Sequence, residues 1–156
     1  MSSQIRNKLV TPEDGQAIIE LYDIVWPEDK PDLNHWKWEF LDNPVGAIFT
    51  FIAEVDGKIV GQSGLLPTWL NWNGKKILGA QAIDAMTHPA YRKKGIYTSL
   101  AKESDAYAAS QGVSIFYGIP NDLSYPIRVK KLGFADLGAI PYLVKILDRK
   151  SLIWFH

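Results

Sequence analysis

Two turn signals, Asp56-Gly57 and Asn73-Gly74, flank the stretch KIVGQSGLLPTWLNW, Lys58 to Trp72. Asp-Gly and Asn-Gly pairs accept the positive φ of tight two-residue turns, so each reverses a strand on itself. AIFTFIAEV (Ala47–Val55), Lys58–Trp72 and KKILGAQAIDAMTHP (Lys75–Pro89) are therefore expected as three consecutive antiparallel strands. A chain with this meander at its centre is not all-helical, and every other element must pack on or beside that sheet.

The flanks supply helices. QIRNKLV (Gln4–Val10) is strand-like. TPED follows at Thr11–Asp14, with an N-cap threonine, proline at the first helical position and an acidic residue at capping-box spacing. Ile18, Leu21, Tyr22 and Val25 then share one helical face. Trp26–Pro31 breaks that helix, and Leu33–Pro44 reads as a second, in which Trp36 and Phe40 are spaced as a core pair. Beyond the meander, Tyr97–Gln111 is a helix closed by Gly112 at C′. VSIFYGI (Val113–Ile119) is a continuous apolar run, the pattern of a strand buried on both faces. Asp122–Lys131 is a short helix, and Gly133–Leu147 carries one or two final strands with Pro141 at an edge or bulge. The order is β-α-α-β-β-β-α-β-α-β, and Lys75–Ile119 is a βαβ unit whose two strands run parallel.

Composition narrows the function classes. Lys+Arg and Asp+Glu both number 17, so no general electrostatic footprint for nucleic acid exists and any anion site is local. The absence of cysteine removes thiol nucleophiles and cysteine zinc sites and suits the cytoplasm. His35 and His88 lack metal-ligand spacing, and no apolar run reaches the about 20 residues that span a bilayer. One domain over 1–156 is expected, with 148–156 a tail or the start of a further segment. SLIWFH at the end is apolar enough to pack back on the domain or to leave a homodimer open.

The chemistry concentrates in HPAYRKKGIYTSL, His88 to Leu100. Arg92, Lys93 and Lys94 precede Gly95, and a helix begins at once. Helix-start N–H groups lack partners and the dipole favours negative charge there, so strand, cationic glycine loop and helix make a cradle for phosphate or pyrophosphate. Neither GxxxxGK[ST] nor GxGxxG is present, which argues against a P-loop hydrolase and a Rossmann dinucleotide site. A basic loop by itself is more often simply solvated.

These residues resemble the cofactor motif of the GNAT superfamily, the GCN5-related N-acetyltransferases, whose core is Q/R-x-x-G-x-G/A. This chain has Arg92-Lys-Lys-Gly95-Ile96-Tyr97 after Thr87-His88-Pro89. YGIPN (Tyr117–Asn121) and KKLGF (Lys130–Phe134) are similar to later signatures of the family, and the element order follows it from Gln4 to about Leu147. The resemblance implies an α/β fold: a central, partly antiparallel sheet splayed between two parallel strands and flanked by helices. It implies acetyl-CoA or another acyl-CoA as cosubstrate, with no metal. The pantetheine arm would lie along Ala85, Met86 and Thr87. The pyrophosphate would sit on backbone N–H groups of Arg92, Lys93, Lys94, Gly95, Ile96, Tyr97 and Thr98. Asn121 would meet the pantetheine end, and Lys93, Lys94, Arg128 or Lys131 the ribose phosphate.

The implied reaction is direct attack of an amine on the thioester in a ternary complex. It needs a base, an oxyanion donor and a proton for the thiolate. Asp84 is the expected base, with Glu54 a weaker candidate, and the Met86 N–H the expected oxyanion donor. Val129 occupies the position where the family often has a tyrosine acid, so Tyr125, one turn earlier, takes that expectation. Tyr97 replaces the motif's last small residue; its ring must turn into the core or over the adenosine side. The acceptor is an amine of a small molecule or a protein. Two alternatives stay open: a long-chain N-acyl amino acid synthase, and an acyl-CoA sensor that catalyses nothing.

Overall fold

The computed structural model describes residues 4–140. Five strands form one sheet in the order β1 (Arg6–Leu9), β2 (Phe51–Val55), β3 (Lys58–Trp72), β4 (Lys75–Thr87), β5 (Ile115–Gly118). The first three pairings are antiparallel and β4 pairs β5 in parallel. Both predicted turns are present: Asp56 and Gly57 have φ of 50° and 76°, Asn73 and Gly74 of 49° and 80°. This left-handed geometry matches the twist of the strands it joins.

Side-chain alternation along β2 sorts the helices onto two faces. Ile52 lies in one cluster with Ile18, Leu21 and Tyr22 of α1 (Gly15–Val25) and Trp36 and Phe40 of α2 (Leu33–Phe40). Its neighbour Ala53 points the other way, into a cluster with Ile96 and Leu100 of α3 (Ile96–Ser110). The sheet is thus sandwiched between α1–α2 and α3. Trp36 is fully buried and 5.9 Å from the Phe40 ring. Removing a buried tryptophan of this kind costs about 3–5 kcal/mol.

Local chemistry sets the ends. The Asp14 carboxylate accepts from the Thr11 N–H at 2.8 Å and its hydroxyl at 3.0 Å, starting the turn that leads into α1. Asp32 caps α2 by accepting the His35 N–H at 2.8 Å. That helix stops at Phe40, short of the expected Pro44, because the Asn43 side chain accepts from Val45 and Gly46 and donates to the Ala47 carbonyl. Likewise β2 starts at Phe51 and not Ala47: the Thr50 hydroxyl takes the Leu65 N–H at 3.3 Å in place of a ladder bond.

Two expectations need correcting. VSIFYGI is not doubly buried: β5 is an edge strand among the described residues, its four residues are half-buried, and Phe116, Tyr117 and Gly118 line an open cavity. The helix α4 (Tyr125–Leu132), closed by Gly133 at φ 75°, is followed up to Ile140 by no strand. The expected strands beyond that, Pro141 and SLIWFH lie outside the described residues. Among the described residues no helix is long and apolar enough to cross a membrane.

Candidate active site

The parallel strands β4 and β5 pair only from Gly79–Ile115 to Ala82–Gly118. Beyond Ala82, β4 runs on to Thr87 without β5, while the chain leaves through Ile119 and Pro120. The gap opens beside a bulge. On β3, Gly64 pairs Ile83 and Gln62 pairs Met86, so Ser63 alone stands opposite Asp84 and Ala85. Asp84 has φ of 44°. A residue with a Cβ pays about 1–2 kcal/mol for that conformation, so neighbours must hold it there.

They do so from two elements. The Tyr22 hydroxyl donates to Asp84 Oδ2 at 2.7 Å, and Gln62 Nε2 donates to the Asp84 carbonyl at 3.2 Å. Gln62 Nε2 also lies 3.3 Å from the Tyr22 oxygen. Burial, then the Asp84 charge, pushes the Tyr22 phenol far above its ordinary value, so it remains a donor.

A cavity of about 1930 Å³ opens on this bulge. That exceeds the usual volume of a single small-molecule site and leaves room for two substrates. One wall is β4 and β5, with Asp84 and Ala85; a second is α3 and α4, with Tyr97, Asn121 and Tyr125. The third, from α1–α2 and the loop between, brings Trp26, Asp29, Asp32, His35 and Glu39. The stretch Trp26–Phe40, whose sequence favours core packing first and a border of an acceptor pocket second, divides between the two: Trp36 and Phe40 are core, and Glu39 lines the cavity. Burial, then the Asp84 charge, raises its carboxyl above the usual range, while His35, 4.0 Å away, opposes this. Glu54, the alternative base, lies off the cavity and is 3.5 Å from Lys8.

The cationic loop lies outside the cavity lining, next to Tyr97. Arg92, Lys93, Lys94 and Gly95 are all exposed. Lys93 and Gly95 have φ of 63° and 78°, and a Cβ on Gly95 would meet nothing within 4 Å. The N–H groups from Lys93 to Thr98 make no backbone hydrogen bond; the first helical bond is Ser99 N–H to the Gly95 carbonyl at 3.0 Å. Such a run of open donors over a glycine fits a diphosphate. Arg92 differs: its N–H goes to the Pro89 carbonyl at 3.3 Å and its Nε to the Thr87 carbonyl at 3.2 Å, so it braces the loop. His88 shapes the same turn, its Nδ1 accepting from the Ala90 N–H at 3.2 Å.

The remaining sequence candidates divide. Met86 is buried in the α1–α2 cluster, and its N–H does not serve as the expected oxyanion donor: Val60 and His88 are a bonded pair, so Gln62 and Met86, two residues along, are one as well, and the Met86 N–H faces β3. Asn121 Oδ1 accepts from the N–H groups of Leu123 and Ser124, at 3.2 and 3.0 Å, starting α4; its amide nitrogen is what remains for a ligand. The Tyr125 hydroxyl donates to Asp136 at 2.7 Å, which raises its pKa. Arg128 cannot reach a ribose phosphate as expected. It is 5% exposed, its guanidinium packed on the rings of Phe134 at 4.9 Å and Tyr97 at 5.6 Å. That packing also answers where the Tyr97 ring goes: across α4, half-buried, on the cavity wall. Asp105 completes this group, and burial holds its carboxyl up at about 6 against the pull of Arg128.

A family model described as an acetyltransferase (GNAT) domain matches residues 6–135. A Trypanosoma brucei acetyltransferase superposes with a TM-score of 0.72 at 19% identity, covering 91% of this chain and all of that one. AAC(6')-Iy in complex with a CoA-linked acetylneamine bisubstrate analog gives 0.73 at 17%, covering 92% and 99%. The aminoglycoside 6'-N-acetyltransferase AAC(6')-Ih of Acinetobacter baumannii gives 0.69 at 18%, covering 93% and 100%. At these identities the superpositions show the fold.

Proposed function

Because the chain belongs to the GNAT acetyltransferase family and is on that ground an N-acetyltransferase, we propose that it moves the acetyl group of acetyl-CoA to an amine of a small cationic molecule. The reading rests above all on the bulge at Asp84, which opens the β4–β5 wedge into a cavity whose far wall carries carboxylates. Two solved relatives of the fold are described as aminoglycoside N-acetyltransferases, which is consistent with a small amine. Such a site belongs in a compartment that supplies acetyl-CoA, the cytoplasm.

Acetyl-CoA supplies the thioester and a thiol leaving group. Lys93, Lys94 and the N–H groups up to Thr98 would hold its diphosphate, and the edges of Ala85 to Thr87 its pantetheine arm. The acceptor's ammonium enters between Asp84 and Glu39. Asp84 takes its proton, directly or through a water, and frees the nitrogen lone pair. The Thr87 N–H, turned away from β3 toward the wedge because Gly61 and Thr87 form a non-bonded pair, is the donor for the carbonyl oxygen as negative charge grows there. Tyr125 is the proton source for the sulfur, and Asp136 orients its hydroxyl. Trp26 and Tyr22, 5.9 Å apart, give the ammonium an aromatic flank.

The test is thiol release from acetyl-CoA against spermidine, cadaverine, kanamycin, lysine and a lysine peptide. Turnover confined to the multiply charged small amines supports the reading. CoA binding without thiol release for any amine would point to an acyl-CoA sensor, and release only from long-chain acyl-CoA to an N-acyl amino acid synthase.

A further inference from the structure

We propose that Tyr22 and Gln62 are positioning residues for acetyl transfer, a two-point clamp that keeps Asp84 in the left-handed conformation forming the bulge. The inference rests on the role given to Asp84 above. The bulge has no ladder of its own at this point, since Ser63 faces both Asp84 and Ala85. What fixes Asp84 is one bond to its side chain and one to its main chain. The first comes from Tyr22 on α1 at 2.7 Å, the second from Gln62 on β3 at 3.2 Å. Tyr22 is 2% exposed and Gln62 is fully buried, so neither can swing away without opening the core.

Gln62 is the more telling of the two. It is an uncharged polar side chain in an apolar interior, and its Oε1 has no partner. Such a residue contributes less to a core than leucine or methionine of similar size. Its amide nitrogen, however, touches both the Tyr22 oxygen and the Asp84 carbonyl, so it ties the helix to the bulge. Because Thr87 follows Asp84 by three residues, any relaxation of this φ also moves the Thr87 N–H that faces the wedge.

The charged and titratable groups facing Asp84 are Tyr22 from α1 and Glu39 from α2, with His35 beyond Glu39. Tyr22→Phe removes the one bond that holds the Asp84 side chain. With acetyl-CoA and the fastest amine of the panel, Tyr22→Phe is expected to lower kcat about 10- to 100-fold. The KM for acetyl-CoA stays within about twofold, because the phosphate loop is untouched. Combined with Asp84→Asn, it causes no further loss, since the two act as one unit. Gln62→Met lowers kcat in the same way. Hydrogen exchange needs no acceptor: the Asp84–Met86 amides of either variant exchange at least about 10-fold faster, with the α3 amides unchanged.

Wild-type kcat and exchange in Tyr22→Phe, alongside a slow Asp84→Asn, would overturn the clamp and leave the role of Asp84 standing. Full activity in Asp84→Asn would overturn that role and the clamp together. Losses that add in the double variant would likewise reject the clamp.

Discussion

Replacing Gly64 with alanine perturbs the bulge from the opposite strand without touching any group given a chemical role. A Cβ at Gly64 would stand 2.6 Å from the Ile83 carbonyl oxygen and 3.1 Å from Phe40 Cε1. Real contacts of this kind lie well beyond 3 Å, and the nearer atom is backbone, so β4 must retreat at the residue just before Asp84. Overpacking of a tight interior costs about 1–3 kcal/mol. At about 2–4 °C per kcal/mol for a domain near this size, the melting temperature should fall by roughly 3–10 °C. A displacement of this order at reacting groups lowers kcat by up to about 100-fold, while KM for acetyl-CoA holds. Gly79→Ala is the control. Its Cβ would meet Leu70 Cδ1 at 2.5 Å and Cγ at 3.0 Å, both in one half-buried side chain that must turn aside, so the melting temperature should fall as well, but kcat should change little because Gly79 is remote from the bulge. Thermal melts followed by circular dichroism and thiol-release kinetics on the two variants decide the matter. A Gly64→Ala protein that melts lower yet turns over at the wild-type rate would refute the bulge as the reaction centre.

Three further outcomes are expected. Asp105, at about 6 in the fold against 3.8 unfolded, binds its proton more tightly when folded, so its contribution to stability is lost as pH rises from about 4 through 6. The displacement corresponds to about 3 kcal/mol in a dry site, and half-exposure reduces that to about 1–2; urea titrations should find Asp105→Asn more stable than wild type by that amount at pH 7.5 and equal to it near pH 4. Gly95→Ala forces a Cβ into φ 78° with no clash, so it should cost about 1 kcal/mol of stability and weaken CoA binding by calorimetry; unchanged affinity would remove the diphosphate from this loop. Tyr125→Phe should slow turnover about 10-fold or less, because a thiolate leaves without a strong acid, and since Asp136 raises the Tyr125 pKa, wild type should show no activity loss from this group up to about pH 10.

Legibility in the sequence followed the range of the interactions. The meander was readable because Asp56-Gly57 and Asn73-Gly74 settle their turns within two residues, and the observed β3, Lys58–Trp72, coincides with the stretch between them. The exposed cationic loop before α3 was readable because glycine, cations and a helix start lie within a few residues of one another. Errors arose where a distant polar side chain intervened, as when Asn43 ended α2 early and Thr50 delayed β2. Arg128 misled for the same reason: its charge suggested solvent, and only the rings of Tyr97 and Phe134 explain its burial.

Asp84 shows the division most sharply. Its expected position near the wedge followed from the family resemblance carried by Arg92–Tyr97, which also fixes where the strand before that loop ends. That it adopts a left-handed conformation could not be inferred, since nothing in IDAMT marks a bulge and aspartate does not prefer positive φ strongly. The bulge exists because Tyr22 and Gln62, distant in sequence, converge on one residue. Glu39 joins the same cavity only because α2 packs over β3 and β4 through Trp36 and Phe40. Short-range steric and turn preferences thus determined the elements and the cationic loop. The carboxylate wall of the cavity and the conformation of Asp84 were decided by the packing of α1 and α2 on the sheet, which brings distant side chains within hydrogen-bonding reach.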